Sequence, residues 1–268
     1  MMRLSRPSRR SKHELVEHVE ADKLQPKEAK GDMLLKAVVF DLDGTLVTAE
    51  IDFPAMRRSI RDLFVSHGFP PETLPTTGTQ DLLRSASSYA EKQGRPPIEI
   101  RTLRDQAYAI AEKFEWEGAR KAQLVPGALE ALTELKRRRV RVGVLTNGNR
   151  GSTDYLFRKF QLRELVDVVV SRDEAPQMKP ATDGLELILR QLKVKRNATV
   201  LVGDSTIDLA TARKLSVEFI ARLSGVGTPE QLRAEGAVVL ISTLVELIPY
   251  LDTRKLLPRP HPNDRKKP

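Results

Sequence analysis

Cysteine is absent from this chain. Disulfides, thiolate nucleophiles and cysteine-ligated metal centres are excluded, and so is any fold that depends on cross-links. Histidine is scarce. The four present, His13, His18, His67 and His261, lack the clustering of a zinc site. Aromatic residues make up 5%, and Trp116 with its neighbour Phe114 reads as packing within a helical stretch rather than as a stacking platform for bases. No apolar run approaches the roughly 20 residues that a membrane-spanning helix needs, and Gly143 and Thr146 interrupt the best one. The first residues are basic but no apolar stretch follows them, so no secretory leader is expected. These absences together lead us to expect a cytoplasmic protein that does not engage a membrane.

An excess of acid is also missing. The formal net charge is +9, which raises the question of a nucleic-acid partner. Its distribution argues against one. Residues 253–268 carry +5 and residues 1–32 carry +2, leaving only +2 for the 220 residues between them. A groove for nucleic acid would concentrate basic residues on one folded face. Residues 1–32 are polar with no sustained amphipathic stripe and are expected to be a flexible extension, with Met33 as a candidate natural start. Residues 253–268 are expected to be a basic tail. The chain between is long enough for one sizeable core and a smaller subdomain, and either a monomer or a homodimer would be consistent with it.

Three segments read as buried strands that end in chemically competent residues. The first is 34–40, followed by Asp41-Leu42-Asp43-Gly44-Thr45. The second is 140–145, followed by Thr146-Asn147-Gly148-Asn149. The third is 199–202, followed by Gly203-Asp204 and, four residues on, Asp208. Further strands are expected at 167–170, 217–221 and 237–240. Helices are expected at 128–135, 152–160, 182–192 and 206–215. Strands that alternate with helices imply a mostly parallel sheet covered on both faces. In such a sheet the carboxyl ends of the strands share one edge, where ligands bind. Residues 53–122 depart from this rhythm. Three helical stripes occur there, around Phe53–Phe64, Leu82–Ala90 and Ile100–Phe114, separated by Pro/Gly breakers and without a strand. This is expected to be a helical insert, with 33–52 and 123–252 forming the core.

The residue types at the strand ends suit phosphoryl chemistry. Asp41 and Asp43 fall on one side of an extended backbone, and two close carboxylates repel unless a cation relieves them. Asp41 is placed to attack phosphorus, and Asp43 to protonate the leaving oxygen and later activate water. Thr146 and Asn147 offer a hydroxyl, an amide and backbone N–H groups to phosphate oxygens. Lys179, in Met178-Lys179-Pro180, can neutralise the transferring group. Asp41, the backbone carbonyl of Asp43, Asp204 and Asp208 provide the oxygen donors that magnesium prefers. Each fragment alone is also ordinary turn or helix-cap chemistry. Arg57, Arg58 and Arg61 at the start of the insert could contact an anionic substrate, but read more readily as a solvated basic face.

The four fragments resemble, in order and spacing, the motifs of the haloacid dehalogenase superfamily: Asp41–Thr45 the first, Thr146-Asn147 the second, Lys179-Pro180 the third and Gly203-Asp204 through Asp208 the fourth. The resemblance spans roughly residues 34–241, including Pro126-Gly127 and Gly225-Val226-Gly227. Ala181-Thr182-Asp183 departs from the acidic residue and second proline that often follow Lys-Pro. The resemblance implies an α/β fold, a Rossmann-like parallel sheet core with an inserted α-helical cap, as in phosphoglycolate phosphatase-like members. It implies a magnesium-dependent phosphatase acting on a small phosphorylated metabolite through an aspartyl-phosphate, with Asp41 as nucleophile, Asp43 as acid/base, Thr146 and Asn147 on the phosphoryl group and Lys179 stabilising its charge. A phosphomutase and a non-catalytic protein that retains the fold remain alternatives. Phosphonate hydrolysis would need a reactive cap lysine, and neither Lys92 nor Lys113 is marked as one.

Overall fold

The structure is a computed structural model, and it describes residues 34–223 and 227–259. The expected flexible extension at 1–32, most of Gly225-Val226-Gly227 and the end of the basic tail lie outside the described residues. A six-stranded, wholly parallel sheet forms the core. Its strands are β1 (Ala37–Phe40), β4 (Arg141–Leu145), β5 (Val168–Val170), β6 (Thr199–Gly203), β7 (Glu218–Arg222) and β8 (Val239–Ile241), in the order β5-β4-β1-β6-β7-β8. The register aligns the three chemically marked strands: Phe40 pairs with Val144 on one side and with Val202 on the other. The segments after β1, β4 and β6 therefore leave the sheet side by side.

Side-chain alternation explains why these strands are apolar throughout. Val38, Phe40, Val142, Val144, Val200 and Val202 pack into one buried cluster, under α4 (Ala128–Arg137), α5 (Arg150–Lys159) and α9 (Leu247–Thr253). Ala37, Val39, Leu145 and Leu201 pack into another, under α6 (Asp183–Leu192), α7 (Thr206–Lys214) and α8 (Pro229–Ala234). A strand buried on both faces has no place for a polar residue until the sheet ends. That is where Asp41, Thr146 and Asp204 stand.

The insert consists of α1 (Phe53–Ser66), α2 (Thr79–Lys92) and α3 (Pro97–Lys121). It has its own apolar cluster, including Met56, Ile60, Phe64, Leu82, Ala86, Leu103 and Ala107. Phe69 packs edge-on against Phe64 at 5.2 Å and carries the Arg95 guanidinium over its ring at 4.3 Å. Phe53 does not join this cluster; it borders the cavity described below.

Several boundaries differ from the sequence expectations. A short antiparallel pair, β2 (Val47–Thr48) with β3 (Gln123–Leu124), closes the neck where the chain enters and leaves the cap. Two-residue strands show no periodicity. α3 runs on to Lys121, and at Gly118 it passes so close to the entry segment that a Cβ would lie 2.6 Å from Ile51. Trp116 packs not within the insert but onto Tyr155 of α5, with ring centroids 5.5 Å apart, and so seats the base of the cap on the core. The core also continues past residue 252. Leu257 is buried and the Leu256 carbonyl accepts the Leu35 N–H at 2.8 Å, because the last helix returns to cover the sheet beside β1.

Candidate active site

One cavity of about 250 Å³ lies between the ends of the core strands and the cap. It gathers Asp41, Asp43, Thr146, Asn147, Lys179, Asp204 and Asp208, every site residue named from the sequence. Lys92 and Lys113 are not among the residues that line it.

The loop after β1 turns sharply. Leu42 O accepts from the N–H groups of both Leu46 and Val47, and Gly44 has φ +86. A Cβ on Gly44 would lie 2.0 Å from Oδ2 of Asp204, so glycine is needed both for the turn and for the approach of that carboxylate. Arg222, at the end of β7, donates to Gly44 O at 2.6 Å and pins the loop from two strands away, across β6. Asp41 accepts from Lys179 Nζ at 2.5 Å and from Thr45 Oγ1 at 3.4 Å.

Lys179 is buried and bridges two carboxylates, with Nζ also 2.6 Å from Asp208 Oδ1. Burial alone would push its ammonium group down; Asp208 and Asp41 more than offset that and hold it well above the ordinary lysine value. The other oxygen of Asp208 closes a capping box at the start of α7, accepting from Ser205 Oγ at 2.5 Å and Ser205 N at 3.2 Å. Asp208 is thus fixed at both oxygens, one holding the helix start and the other the lysine.

The segment after β4 is equally constrained. Thr146 Oγ1 accepts the Gly148 N–H at 2.9 Å and lies 3.5 Å from Asp43 Oδ2. The Asn147 side chain does not face the cavity freely. Its Nδ2 donates to Lys179 O at 3.0 Å and its Oδ1 accepts from Lys179 N at 2.9 Å, which clamps the backbone of the lysine. Asn149 caps α5 by accepting from Ser152 N at 2.8 Å.

Two residues of this site escaped the sequence reading. Glu115, from α3, is buried and accepts from Asn149 N at 3.1 Å, Asn149 Nδ2 at 2.5 Å and Arg172 Nη1 at 2.7 Å. Arg172, just after β5, also reaches Asn147 O at 3.4 Å and lies over the Tyr108 ring at 4.9 Å. The only available signal was a charged residue on the inner face of a helical stripe, and that face is recognisable only once α3 is known to cross onto the core.

The electrostatics are those of crowded carboxylates. Burial, with Asp208 and Asp204 nearby, raises Asp41 above the ordinary carboxylate range against the pull of Lys179. Burial, with Asp41 and Glu115 nearby, pushes Asp43 up to about 7. Asp41, Asp204 and Asp208 each offer an oxygen, all within 4.8 Å of one another. The donor set is all carboxylate and fits a hard divalent cation better than a soft one.

A parallel sheet with aspartates at the ends of β1 and β6, a threonine at the end of β4 between the same helical layers, and a helical cap over them defines an α/β fold with one composite site at its strand ends. The comparisons identify its family. The family model described as haloacid dehalogenase-like hydrolase matches residues 38–222, and the chain belongs to that family. It is 29% identical over 229 residues to a plasmid-borne phosphoglycolate phosphatase of Cupriavidus necator, covering 83% of this chain and 95% of that one. It is 26% identical over 227 residues to an N-acetylmuramic acid 6-phosphate phosphatase of Pseudomonas aeruginosa, covering 82% and 96%. A haloacid dehalogenase-like hydrolase structure from Bacteroides fragilis shares the fold, with a TM-score of 0.60 at 24% identity over 80% of this chain and 99% of that one.

Proposed function

We propose that the chain is a magnesium-dependent phosphatase that hydrolyses a small phosphorylated metabolite in the cytoplasm through an aspartyl-phosphate. The observation that carries this reading is the convergence of Asp41 and Asp43, Thr146 and Asp204 from three strand ends, and of Lys179 from the loop after β5, in one cavity. Family membership and phosphatase relatives support it.

Asp41 attacks phosphorus, and the bond from phosphorus to the ester oxygen breaks as the aspartyl-phosphate forms. Asp43, raised toward neutrality by burial and neighbouring carboxylates, delivers its proton to the leaving oxygen. It then takes a proton from the water that attacks phosphorus, and the bond to Asp41 breaks to release phosphate. Lys179 and the Thr146 hydroxyl balance charge on the phosphoryl oxygens. Asn147 contributes as a clamp: its side chain fixes the Lys179 backbone and its own main chain continues the phosphate-facing loop. Asp41 and Asp204, with the Asp43 carbonyl, would hold magnesium, and Asp208 would anchor Lys179 beside it. The crowded carboxylates and the passage that Gly44 leaves for Asp204 fit such an ion. When bound, magnesium would offset the repulsion between the phosphate and these carboxylates. The cap encloses the reacting group and limits access of water.

The test is hydrolysis of p-nitrophenyl phosphate, with magnesium and with EDTA, by wild type and Asp41→Asn. Metal-dependent release that disappears in the variant is expected. Substantial release by Asp41→Asn would sink the mechanism.

A further inference from the structure

Three cations line the cavity: Arg57, Arg172 and Lys179. Lys179 is bound to Asp41 and Asp208, and Arg172 to Glu115. Arg57 is different. Its Nε is buried without a hydrogen-bond partner, and the side chain makes no ion pair among the described residues. Its two neighbours in the basic triplet of α1 do not share this position. Arg58 is exposed, and Arg61 donates to the carbonyls of Leu74 and Pro71. The sequence reading of a solvated basic face therefore holds for Arg58 and fails for Arg57.

A buried guanidinium N–H left unpaired costs free energy that a fitting acceptor would recover. Arg57 stands on the cap, whereas Asp41, Asp43 and Lys179 rise from the core. A phosphoryl group seated on the core residues would leave the remainder of its ester pointing toward the cap. The rest of the cap wall is more apolar than polar, with Phe53, Met56, Ile60 and Leu83 set against Thr79, Gln80 and Tyr108. A heavily hydroxylated leaving group would find few hydrogen-bond partners on the apolar part of that wall. The cavity, at about 250 Å³, also limits the size of the ester.

We infer that Arg57 is a specificity-determining residue that pairs with a second anionic group of the substrate, so that the enzyme selects a compact phosphomonoester whose far end carries a carboxylate or a second phosphate. The planar donor fork of arginine suits either oxyanion. This inference rests on the phosphatase reading above, because that reading sets which end of the substrate meets the core.

The test compares kcat/KM for three esters of one length: O-phospho-3-hydroxypropanoate, its neutral amide, and 1,3-propanediol bisphosphate. Wild type is expected to favour one anionic ester over the amide by about 10- to 100-fold, the range set by a charge-assisted hydrogen bond. The anionic ester that wins identifies the group as carboxylate or phosphate. Arg57→Met should collapse the ratio toward one, and Arg57→Lys should restore part of it. Equal use of amide and anionic esters by wild type, alongside hydrolysis of p-nitrophenyl phosphate, would overturn the subsite and leave the phosphatase standing. So would an equal loss on all three esters in Arg57→Met, which would mean that the guanidinium serves only to balance the acidic cluster. Failure of wild type to hydrolyse p-nitrophenyl phosphate with magnesium would remove the phosphatase reading, and the subsite with it.

Discussion

At the scale of single residues, Gly44 carries a constraint that its neighbours do not. Its φ of +86 is strained for any other residue, and a Cβ there would collide with Asp204. Gly44→Ala must therefore displace either the loop that bears Asp41 and Asp43 or the Asp204 carboxylate. The neighbouring strands, buried on both faces, hold the rest of the fold. The expected outcome is a folded protein whose kcat/KM for p-nitrophenyl phosphate falls by about 100-fold, the scale on which roughly 1 Å of misplacement costs activity. Circular dichroism and magnesium titration together would check it. Near-normal activity would mean that Asp204 tolerates displacement and has no close role beside Asp41. This constraint was half-legible: Asp-Leu-Asp-Gly-Thr announces a sharp turn, but Asp204 lies far along the chain and its approach appears only when β1 and β6 pair.

At the scale of elements, the join between cap and core rests on Glu115. A buried carboxylate of α3 holds the Arg172 guanidinium and the Asn149 amide of the loop after β4, so the helix and the loop are positioned together. Breaking a buried pair on one side leaves an uncompensated charge. Glu115→Gln is therefore expected to lower stability by about 3 kcal/mol and kcat by roughly tenfold through a loosened loop. Thermal denaturation of Glu115→Gln, Arg172→Met and the double variant would measure the coupling. A coupling energy near zero would show that the two side chains act independently. A second joint can be read through pH. On α4, Glu134 accepts from Arg137 at 2.8 Å and from Arg138 at 2.6 Å, while Arg138 also pairs with Asp252 of α9. Hydrogen bonding from Arg137 holds the Glu134 carboxyl below the ordinary value despite partial burial. Its contribution is fully present above the ordinary glutamate pKa and is lost as pH falls through the lowered one. Glu134→Gln should cost about 0.5–1 kcal/mol at pH 7, and denaturant titrations at falling pH should show the difference closing. A difference independent of pH would assign the loss to packing. Helix periodicity located α4 correctly, but nothing in it revealed that α9 would lie alongside, since α9 is short and ends where a tail was expected to begin.

At the scale of the whole molecule, the legible part was what repeats and what stops abruptly: apolar strands ended by polar residues, and helical stripes separated by breakers. The illegible part was long-range. β1 is paired between β4 and β6, roughly one hundred and more residues away along the chain, and the two-residue strands at the neck, Glu115, Arg172 and Arg222 have meaning only after those pairings form. The same topology ties stability to the site, because the carboxylates that would hold magnesium come from segments far apart in sequence and meet only in the folded chain. An ion bound to the folded form alone stabilises it by about 2.7 kcal/mol at a concentration one hundred times its Kd, which for a chain of this size raises Tm by roughly 5–10 °C. Magnesium added to EDTA-treated wild type should produce such a rise. Asp204→Asn should abolish it. If Asp204→Asn retained the full magnesium-induced rise in Tm, the ion would bind elsewhere.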